Sequence, residues 1–456
     1  MPAIVTETFR KKLAQDLLTE INNAADSNEY YIGIGKSDAY NATDTTVNPI
    51  RCFREEREAR NNLQSVKKVI NASFVIPRYN WTSGTVYTGF NDAVAGIPTN
   101  TYYVLTEDNQ VYICLQQSKN AAGQANVSTV KPDFAVAGVD EGQAFITADG
   151  YTWKFLYSLS ATAAANFLSA GYIPVEKVIW NTSGDSADLS PFQLEQLIVQ
   201  QAAVSGQILS ITLTSGGSGY TSVPTVTITG NGTSAAATAT ISGGSVVKID
   251  MNNESAALGS GYDYADVAIT GGGGSGATAR IVLGPKYGVG ADPREELKAT
   301  SLMFNVKPSG TENGDFIVNN DFRQITVLRN IEQYNSNTRF TASTGRAMNY
   351  MKTTVPASSF TIDKLLVGAT SGAKAYIDDI QDSAIYYHQN ENTGFTTFVD
   401  GEALSESDGS GTGTADSANL HGIVDNFSGE MLYVENRARV IRSTSQTEDI
   451  KVIITA

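Results

Sequence analysis

The chain has 456 residues, too many for one ordinary hydrophobic core, so its length predicts about two to four domains. Hydrophobic residues make up 41% of it, yet no run of about 18 apolar residues occurs, which excludes a membrane-spanning helix. The N-terminus MPAIVTETFRKKL has no apolar signal-peptide core, so we expect no export. The net charge of −15 is spread without a basic block, which argues against a nucleic-acid surface, because phosphate binding requires clustered Lys and Arg.

Cys52 and Cys114 are the only cysteines. In a chain made in a reducing cytoplasm, they are expected to be buried free thiols rather than one disulfide bridge. The 41 glycines, with abundant Thr, Ser, Asn and Tyr, are typical of many short strands joined by turns. The composition therefore predicts a mainly β fold.

The first predicted helix lies in TETFRKKLAQDLLTEINNAA, where Phe9, Leu13, Leu17 and Ile21 recur every four residues. These four side chains form one apolar stripe, and Thr6 is a suitable N-cap.

A second helix is predicted over FREEREARNNLQSVKKV (53–69). Its charges are spaced to pair as Arg54–Glu58 and Glu56–Arg60, each pair contributing about 0.2–0.5 kcal/mol. A solvated helix face explains this charge run better than a functional site does.

Alternating apolar and polar residues, around turn signals such as Glu107-Asp108-Asn109, predict strands up to about residue 200. The segments are YYIGIGKSDAY (30–40), SFVIPRYNW (73–81), TYYVLTEDNQVYICLQQS (101–118) and YTWKFLYSLS (151–160). A short helix, ATAAANFLSAG (161–171), is expected to end at Gly171, a natural residue after a helix C-terminus.

Residues 207–285 contain an internal duplication with a period of about 40 residues. Three motifs recur: GSGY at 217–220 and 259–262, VTITG at 226–230 as VAITG at 267–271, and ATATI at 237–241 as ATARI at 277–281. A phosphate-binding loop would need these glycines between a strand and a helix, together with either the lysine of GxxxxGK[ST] or an acidic residue further on. Strand-like sequence follows them instead, so we interpret the glycines as positive-φ turns in a structural β-module.

The C-terminal part of the chain is also predicted to be strand-rich. We expect a loop, a short helix from Pro293 and a strand within 284–310, a strand at 322–331, and two or three strands in 430–456. The apolar terminal VIIT should be buried in a sheet. Within 336–425, the segments 366–380 and 401–418 share a pattern of strand, glycine turn and small-residue strand that predicts a small barrel-like β-insertion.

The search for catalytic chemistry finds no constellation. His388 and His421 are the only histidines, and we expect both to be exposed loop residues. Neither HExxH nor CxxC occurs, which excludes a zinc site built from His and Cys. We predict no catalytic, cofactor-binding or metal-binding residue, and hence no enzyme and no cofactor.

Acidic and aromatic pairs are also given structural interpretations. In Asp378-Asp379 and Glu55-Glu56, adjacent side chains should point apart, although carboxylates distant in sequence remain free to converge in the fold. Asp408-Gly-Ser-Gly-Thr-Gly-Thr has too few oxygen ligands for a calcium loop. The pairs Tyr30/Tyr31, Tyr102/Tyr103 and Tyr386/Tyr387 are expected to serve core and interface packing, with a carbohydrate- or base-stacking platform as the alternative.

Segments outside the two glycine-rich blocks resemble one family, the small dimeric baseplate wedge protein of T-even-like contractile-tailed bacteriophages. The matching segments, in chain order, are AIVTETFR (3–10), YYIGIGKSDAY (30–40), VIPRYNW (75–81), DGYTWKFLYSLS (149–160), YIPV (172–175), FRQITVLRN (322–330) and SGEMLYVENRARVIRSTSQTEDIKVIITA (428–456). The last is the most specific. The chain is longer than the T-even member, mainly in the duplicated block and in 336–425.

The resemblance implies a non-enzymatic structural subunit of the tail baseplate in the virion, assembled in the host cytoplasm. It would form a homodimer that packs against other baseplate wedge subunits, without contacting nucleic acid or membrane. The implied fold is mainly β, a β-sandwich-type core with a few short helices and two β-rich glycine-rich insertions.

The corresponding domain organisation has six segments. They are 1–80 (N-terminal part of the core), 81–206 (a second β-rich lobe), 207–285 (the duplicated Gly-rich β-module), 286–335 (core strands), 336–425 (a small β-insertion) and 426–456 (C-terminal strands that close the core).

Two other function classes remain open. The first is a receptor- or polysaccharide-binding tail protein that uses the glycine-rich repeats and aromatic strands. The second is a tail-associated glycan hydrolase with convergent Asp and Glu residues. A glycan-binding assay and a turnover assay on host polysaccharide would separate these from the structural subunit.

Overall fold

A computed structural model describes most of the chain. The described residues are 5–22, 28–35, 53–94, 101–179, 189–251, 257–310, 312, 315–354, 359–407 and 409–455. The predictions for Cys52, for the turn at 36–40 and for Asp408 lie outside these residues.

Helices are few and mostly short in the part of the chain that is described. They are α1 (Glu7–Asn22), α2 (Phe53–Asn61), α3 (Phe134–Ala137), α4 (Ala161–Phe167), α5 (Pro191–Gln201) and α6 (Pro293–Glu296).

Strands make up most of the regular structure, which confirms the mainly β fold. In the first half of the chain they are β1 (Tyr30–Gly35), β2 (Leu63–Lys68), β3 (Ala72–Pro77), β4 (Tyr103–Leu105), β5 (Gln110–Gln116), β6 (Ala144–Ile146), β7 (Thr152–Ser158) and β8 (Tyr172–Val175). In the duplicated block they are β9 (Ile208–Ser218), β10 (Thr225–Gly230), β11 (Thr233–Ala235), β12 (Ala237–Ser242), β13 (Ser245–Met251), β14 (Leu258–Ser260), β15 (Ala265–Thr270) and β16 (Ser275–Leu283).

The remaining strands follow the block. They are β17 (Ser301–Val306), β18 (Asp321–Arg329), β19 (Glu332–Gln333), β20 (Thr344–Arg346), β21 (Asn349–Thr353), β22 (Leu365–Gly368), β23 (Lys374–Gln381), β24 (Ala384–His388), β25 (Ala403–Glu406), β26 (Thr412–His421), β27 (Val424–Asp425), β28 (Glu430–Ile441) and β29 (Ile450–Thr455).

Local capping explains where several elements begin. The Thr6 hydroxyl accepts a hydrogen bond from the Phe9 N–H (3.3 Å), which confirms the predicted N-cap of α1. At α5, Ser190 and Gln193 form a reciprocal capping box and Pro191 occupies the first turn. This helix was not predicted, because its apolar residues were interpreted as strand sequence.

Two helix predictions were wrong in extent. The second helix ends at Asn61, and the strand β2 follows, with Leu63 and Val66 buried in a sheet. If the helix had continued, Leu63 and Val66 would be part of the charged helix. In the strand, both side chains are buried in the sheet, and this burial outweighs helix propensity. Helix α4 ends at Phe167, four residues before Gly171, because Leu168 is already extended.

The pattern of contacts divides the chain into two compact units. Unit 1 comprises Met1–Asp16, Ser73–Met303 and Ile453–Ala456, and unit 2 comprises Leu17–Ala72 and Phe304–Val452. The six-segment organisation proposed from the sequence stays a prediction.

An aromatic core organises the first part of unit 1. The sheet has the order β4-β5-β7-β6, and it buries Tyr87, Tyr112, Trp153 and Phe155 in one cluster. Asn109, at φ 59°, forms the turn between β4 and β5, as the sequence predicted. In unit 1, β3 also pairs antiparallel with β8.

The duplicated block forms a separate cluster of strands within unit 1. The middle strands of the two repeats pair with each other, β10 with β15 and β11 with β14. The last strand of each repeat pairs with the first strand of the other, β12 with β13 and β16 with β9. Strands follow both GSGY motifs, and all four glycines have positive φ. Gly219 and Gly261 lie between strands, as predicted, whereas Gly217 and Gly259 lie within β9 and β14.

Unit 2 combines an open sheet and a closed barrel. The sheet has the order β20-β2-β1-β18-β28, with Tyr31, Leu63 and Leu328 in its core. The barrel, in the order β21-β24-β23-β22-β25-β26, encloses its own apolar core around Leu366, Ile377 and Tyr387. Glycine turns and small residues permit this tight closure.

Candidate functional site

The structure places both histidines in barrel strands, so the prediction of exposed loop residues was wrong. His388 lies in β24 and is 4% exposed, and its Nδ1 lies 2.7 Å from Oδ2 of the fully buried Asp378. His421 lies in β26, where it stacks on Tyr334 with ring centroids 3.8 Å apart. The Gly- and Ser-rich surroundings suggested a loop, but those residues form the strands and turns of a closed barrel.

The two neighbouring carboxylates of β23 have different partners. Asp378 contacts His388, whereas Asp379 accepts a hydrogen bond from Gln381 Nε2 (2.8 Å) and lies 3.7 Å from Arg346. A β-bulge between Ile377 and Asp379 allows both side chains to be buried.

Carboxylates distant in sequence do converge in unit 2. Asp321 is buried between Arg323, at 3.0 Å, and Arg439. Burial raises the pKa of Asp363, and the nearby charges of Asp321 and Asp378 raise it further. Arg323 and Arg439 thus compensate the charge of the buried Asp321, so we interpret these ion pairs as structural. Asp363 and Arg439 are exposed. Among the described residues, no cluster of His, Cys, Asp or Glu could hold a metal ion.

A second buried charged pair lies in unit 1. Glu296 is fully buried, and its Oε1 accepts hydrogen bonds from the N–H groups of Gly290 (2.6 Å) and Asp292 (3.2 Å). Burial raises the pKa of Glu296 and lowers the pKa of its electrostatic partner Lys154. Neither group is accessible to a substrate in this conformation.

The charged helix α2 is less solvated than its sequence suggested. The predicted Glu56–Arg60 pair is present at 3.0 Å, but Arg54 pairs with Glu391 at 2.6 Å rather than with Glu58. Arg60 is buried, so the interpretation of a wholly solvated face was wrong.

Arg60 fixes a loop that sequence reasoning did not single out. Its guanidinium donates to the carbonyls of Asn426 (2.8 Å), Ser428 (2.8 Å) and Gly429 (3.1 Å). The Asn426 side chain donates back to the Arg60 carbonyl at 3.0 Å. Four hydrogen bonds thus hold residues 426–429 against the end of α2.

This loop forms one wall of an open pocket of about 490 Å³ in unit 2. Four rings line the pocket, namely Tyr334, Phe395, His421 and Phe427. The other lining side chains are the carboxamides of Asn61, Asn349, Gln389 and Asn426, together with Arg57 and Asp425. We call this the ring-and-amide pocket. Its residues come from six separate segments of the chain, so no local motif marks it.

The opposite wall of the ring-and-amide pocket is also held by hydrogen bonds. Gln389 Nε2 donates to the carbonyl of Lys374 in β23 (2.9 Å) and to the carbonyl of Thr396, the residue after Phe395 (2.8 Å). Burial lowers the pKa of His421, and its Nδ1 donates to the Gly422 carbonyl at 3.0 Å.

The other predicted positions have simple structural roles. Cys114 is a buried free thiol, as expected. Tyr30, Tyr31, Tyr102, Tyr103 and Tyr387 are buried in cores. None of the helices in the described ranges is long and apolar enough to cross a membrane.

Comparisons with known proteins assign no family. No protein-family model matches the chain, and no curated protein is significantly similar to it.

Proposed function

We propose that the chain is a structural subunit of the baseplate wedge of a contractile bacteriophage tail, where it holds neighbouring wedge proteins together. The proposal rests on the sequence resemblance described above. The observation that best supports it is the arrangement of the segments that carry this resemblance.

Three of these segments are adjacent strands of one sheet. YYIGIG forms β1, FRQITVLR forms β18 and EMLYVENRARVI forms β28, in the order β1-β18-β28. Gln324 of β18 donates to the Asn436 side chain of β28 at 2.8 Å. The resembling residues thus support one another within a sheet, as expected for a shared scaffold.

The most specific resembling segment also has an internal structural role. Arg442 is 1% exposed, and its Nε donates to Glu448 Oε2 at 2.9 Å. Its Nη1 donates to the Ile317 carbonyl at 2.7 Å. The charged residues of the C-terminal motif therefore hold chain segments together, which favours a shape-keeping role over a chemical one.

Exposed apolar side chains on the first helix suit the proposed partners. Phe9 and Leu13 lie four residues apart in α1, and Val5 lies just before the helix; each of the three is about half exposed. The spacing places Phe9 and Leu13 on one face of the helix. We infer that this face contributes to the homodimer or to contacts with other wedge subunits.

The decisive experiment is a reconstruction of the phage particle whose genome encodes this chain. We expect density for the chain in the tail baseplate, as a pair in each wedge of the hexagonal assembly. Placement at a fibre tip, in the capsid, or outside the particle would overturn the proposal.

A further inference from the structure

The exposed rings of the ring-and-amide pocket are its most unusual feature. Tyr334, Phe395 and Phe427 are 49%, 53% and 59% exposed. Large aromatic side chains normally bury their area in cores or interfaces. Three such rings around one open pocket of about 490 Å³ indicate a surface that an occupant covers, and this volume is within the usual range for small-ligand sites.

The walls that carry these rings are ordered before any occupant arrives. Arg60 fixes the Phe427 loop through three carbonyls. Gln389 ties the segment of Phe395 to β23, because it donates to both the Thr396 and the Lys374 carbonyl. Tyr334 is held by its stack on His421 and by its N–H, which donates to the Ile423 carbonyl at 2.9 Å. Preorganised walls reduce the entropy lost on binding.

The lining chemistry restricts the kind of occupant. Among the described residues, no aliphatic side chain lines the pocket. A purely apolar ligand would offer the pocket's carboxamides no hydrogen bond beyond those they make within the protein. Carboxamides both donate and accept hydrogen bonds, as hydroxyl groups do. A ligand with apolar C–H faces for the rings and hydroxyl groups on its edges satisfies both kinds of wall.

The local charge argues against an anionic ligand. Arg57 is the one cation among the described lining residues, and it lies 3.7 Å from Glu391 Oε1, a carboxylate that also pairs with Arg54. Asp425 contributes a negative charge on the same lining, and the chain as a whole carries −15. Phosphate-bearing ligands would meet repulsion here.

From these observations we infer that the ring-and-amide pocket binds a neutral saccharide, with Phe395 and Phe427 stacking on sugar faces. This site is additional to the proposed wedge role and does not depend on it. A protein side chain seated in the pocket is the competing occupant.

The test uses the full-length chain and a panel of neutral sugars: glucose, maltotriose, cellotriose, mannotriose and triacetylchitotriose. Binding is measured by saturation-transfer NMR and titration, with glucose 6-phosphate as the charged comparison. We expect at least one neutral sugar to bind, and glucose 6-phosphate to bind more weakly than glucose.

Variants then locate the site. Phe395→Ala and Phe427→Ala should each weaken binding by about fivefold or more, since a ring contact is worth about 0.5–1.5 kcal/mol beyond its buried area. Phe53→Ala removes a ring of the same type that is 92% exposed in the same unit and lies outside the pocket lining. This control should leave binding unchanged.

Three outcomes would overturn the inference. They are no binding of any neutral sugar, binding that survives the Phe395→Ala/Phe427→Ala double variant, and loss of self-association in that variant without sugar binding by the wild type. The last result would assign the pocket to a protein partner.

Discussion

Tyr220 and Tyr262 occupy equivalent positions in the two repeats, and each is bonded to the other repeat. The Tyr220 hydroxyl accepts from the Ala277 N–H, and the Tyr262 hydroxyl accepts from the Ala235 N–H, both at 3.4 Å. Both rings are buried in the same apolar cluster. The pairing of β10 with β15 has the same symmetry. Val226 of the first repeat pairs with Ile269 of the second, and the equivalent Val267 of the second repeat pairs with Ile228 of the first.

This symmetry predicts that one repeat cannot fold without the other. Removing residues 245–283 leaves β9 and β12 without their strand partners, so we expect aggregation or loss of cooperative unfolding. Removing all of 208–283 should leave the rest folded, because the Gly284 N–H donates to the Gln207 carbonyl at 2.9 Å and the ends are adjacent. Sedimentation and thermal melts of both variants decide the matter. A half-block variant as soluble and cooperative as the full deletion would contradict the prediction.

Arg442 is predicted to be a major stabilising residue of unit 2. Arg442→Met should remove the charged partner of the buried Glu448 carboxylate and the donor to the Ile317 carbonyl, and lower the free energy of unfolding by about 3–5 kcal/mol. Chemical denaturation measures the change. Arg54→Met, at an exposed ion pair, is the matched control and should leave the denaturation midpoint unchanged. Equal midpoints for the two variants would refute the role of Arg442.

The buried Glu296 should make stability depend on pH. Burial raises its pKa from 4.5 to about 7, so the folded chain binds this proton more tightly than the unfolded chain between these values. The free energy of unfolding attributable to this group therefore falls as the pH rises through that window. Glu296→Gln keeps an acceptor for the Gly290 and Asp292 N–H groups and removes the titration. Denaturation at pH 5 and pH 7 should show a smaller decline in the variant, and an unchanged decline would exclude this assignment.

Cys114 should be unreactive in the native protein. The thiol is fully buried, and burial raises its pKa far above the ordinary value, so the reactive thiolate is scarce. Iodoacetamide at pH 8 should modify the Cys114 peptide only after denaturation, as read by mass spectrometry. Rapid labelling of this peptide in the folded chain would show that the strand β5 opens readily.

The proposed dimer should form through uncharged surface. Like-charged copies repel at a net charge of −15, so moderate salt should leave the dimer intact or tighten it slightly. Obligate interfaces of this kind commonly bury more than about 2,000 Å² in total.

Sedimentation at low and high salt tests the dimer, and Phe9→Asp/Leu13→Asp tests the helix face. We expect the double variant to be monomeric and folded, and Phe53→Asp, at an exposed ring of α2, to remain dimeric. A wild-type chain that stays monomeric at high micromolar concentration would contradict the dimer itself.

Local sequence determined much of the secondary structure of this protein. The Thr6 cap, the turn at Asn109, the short helix from Pro293 and the two GSGY turns depend on residues close together in the chain. Their conformational preferences act over one or two turns, so sequence reasoning could identify them. The same holds for the mainly β fold, which follows from composition and alternation.

Where the sequence of a segment fits both a helix and a strand, the elements that pack against it in the fold decided between the two. Leu63 and Val66 continue an acceptable helix pattern, but β1 and β20 flank β2 and bury both side chains in the sheet. The α5 segment shows the reverse case, in which Leu197 and Val199 look like strand residues but are buried on a capped helix. Burial against distant strands outweighs the small differences in intrinsic propensity.

Only the tertiary structure brought the candidate site together. Arg60 and Asn426 are 366 residues apart in the chain, and Tyr334 meets His421 only because the barrel closes between them. The same closure buries His388 beside Asp378, although the surrounding glycines and serines resemble a loop. Sequence patterns report which face of an element is apolar, whereas contacts between segments distant in the chain depend on strand order and register.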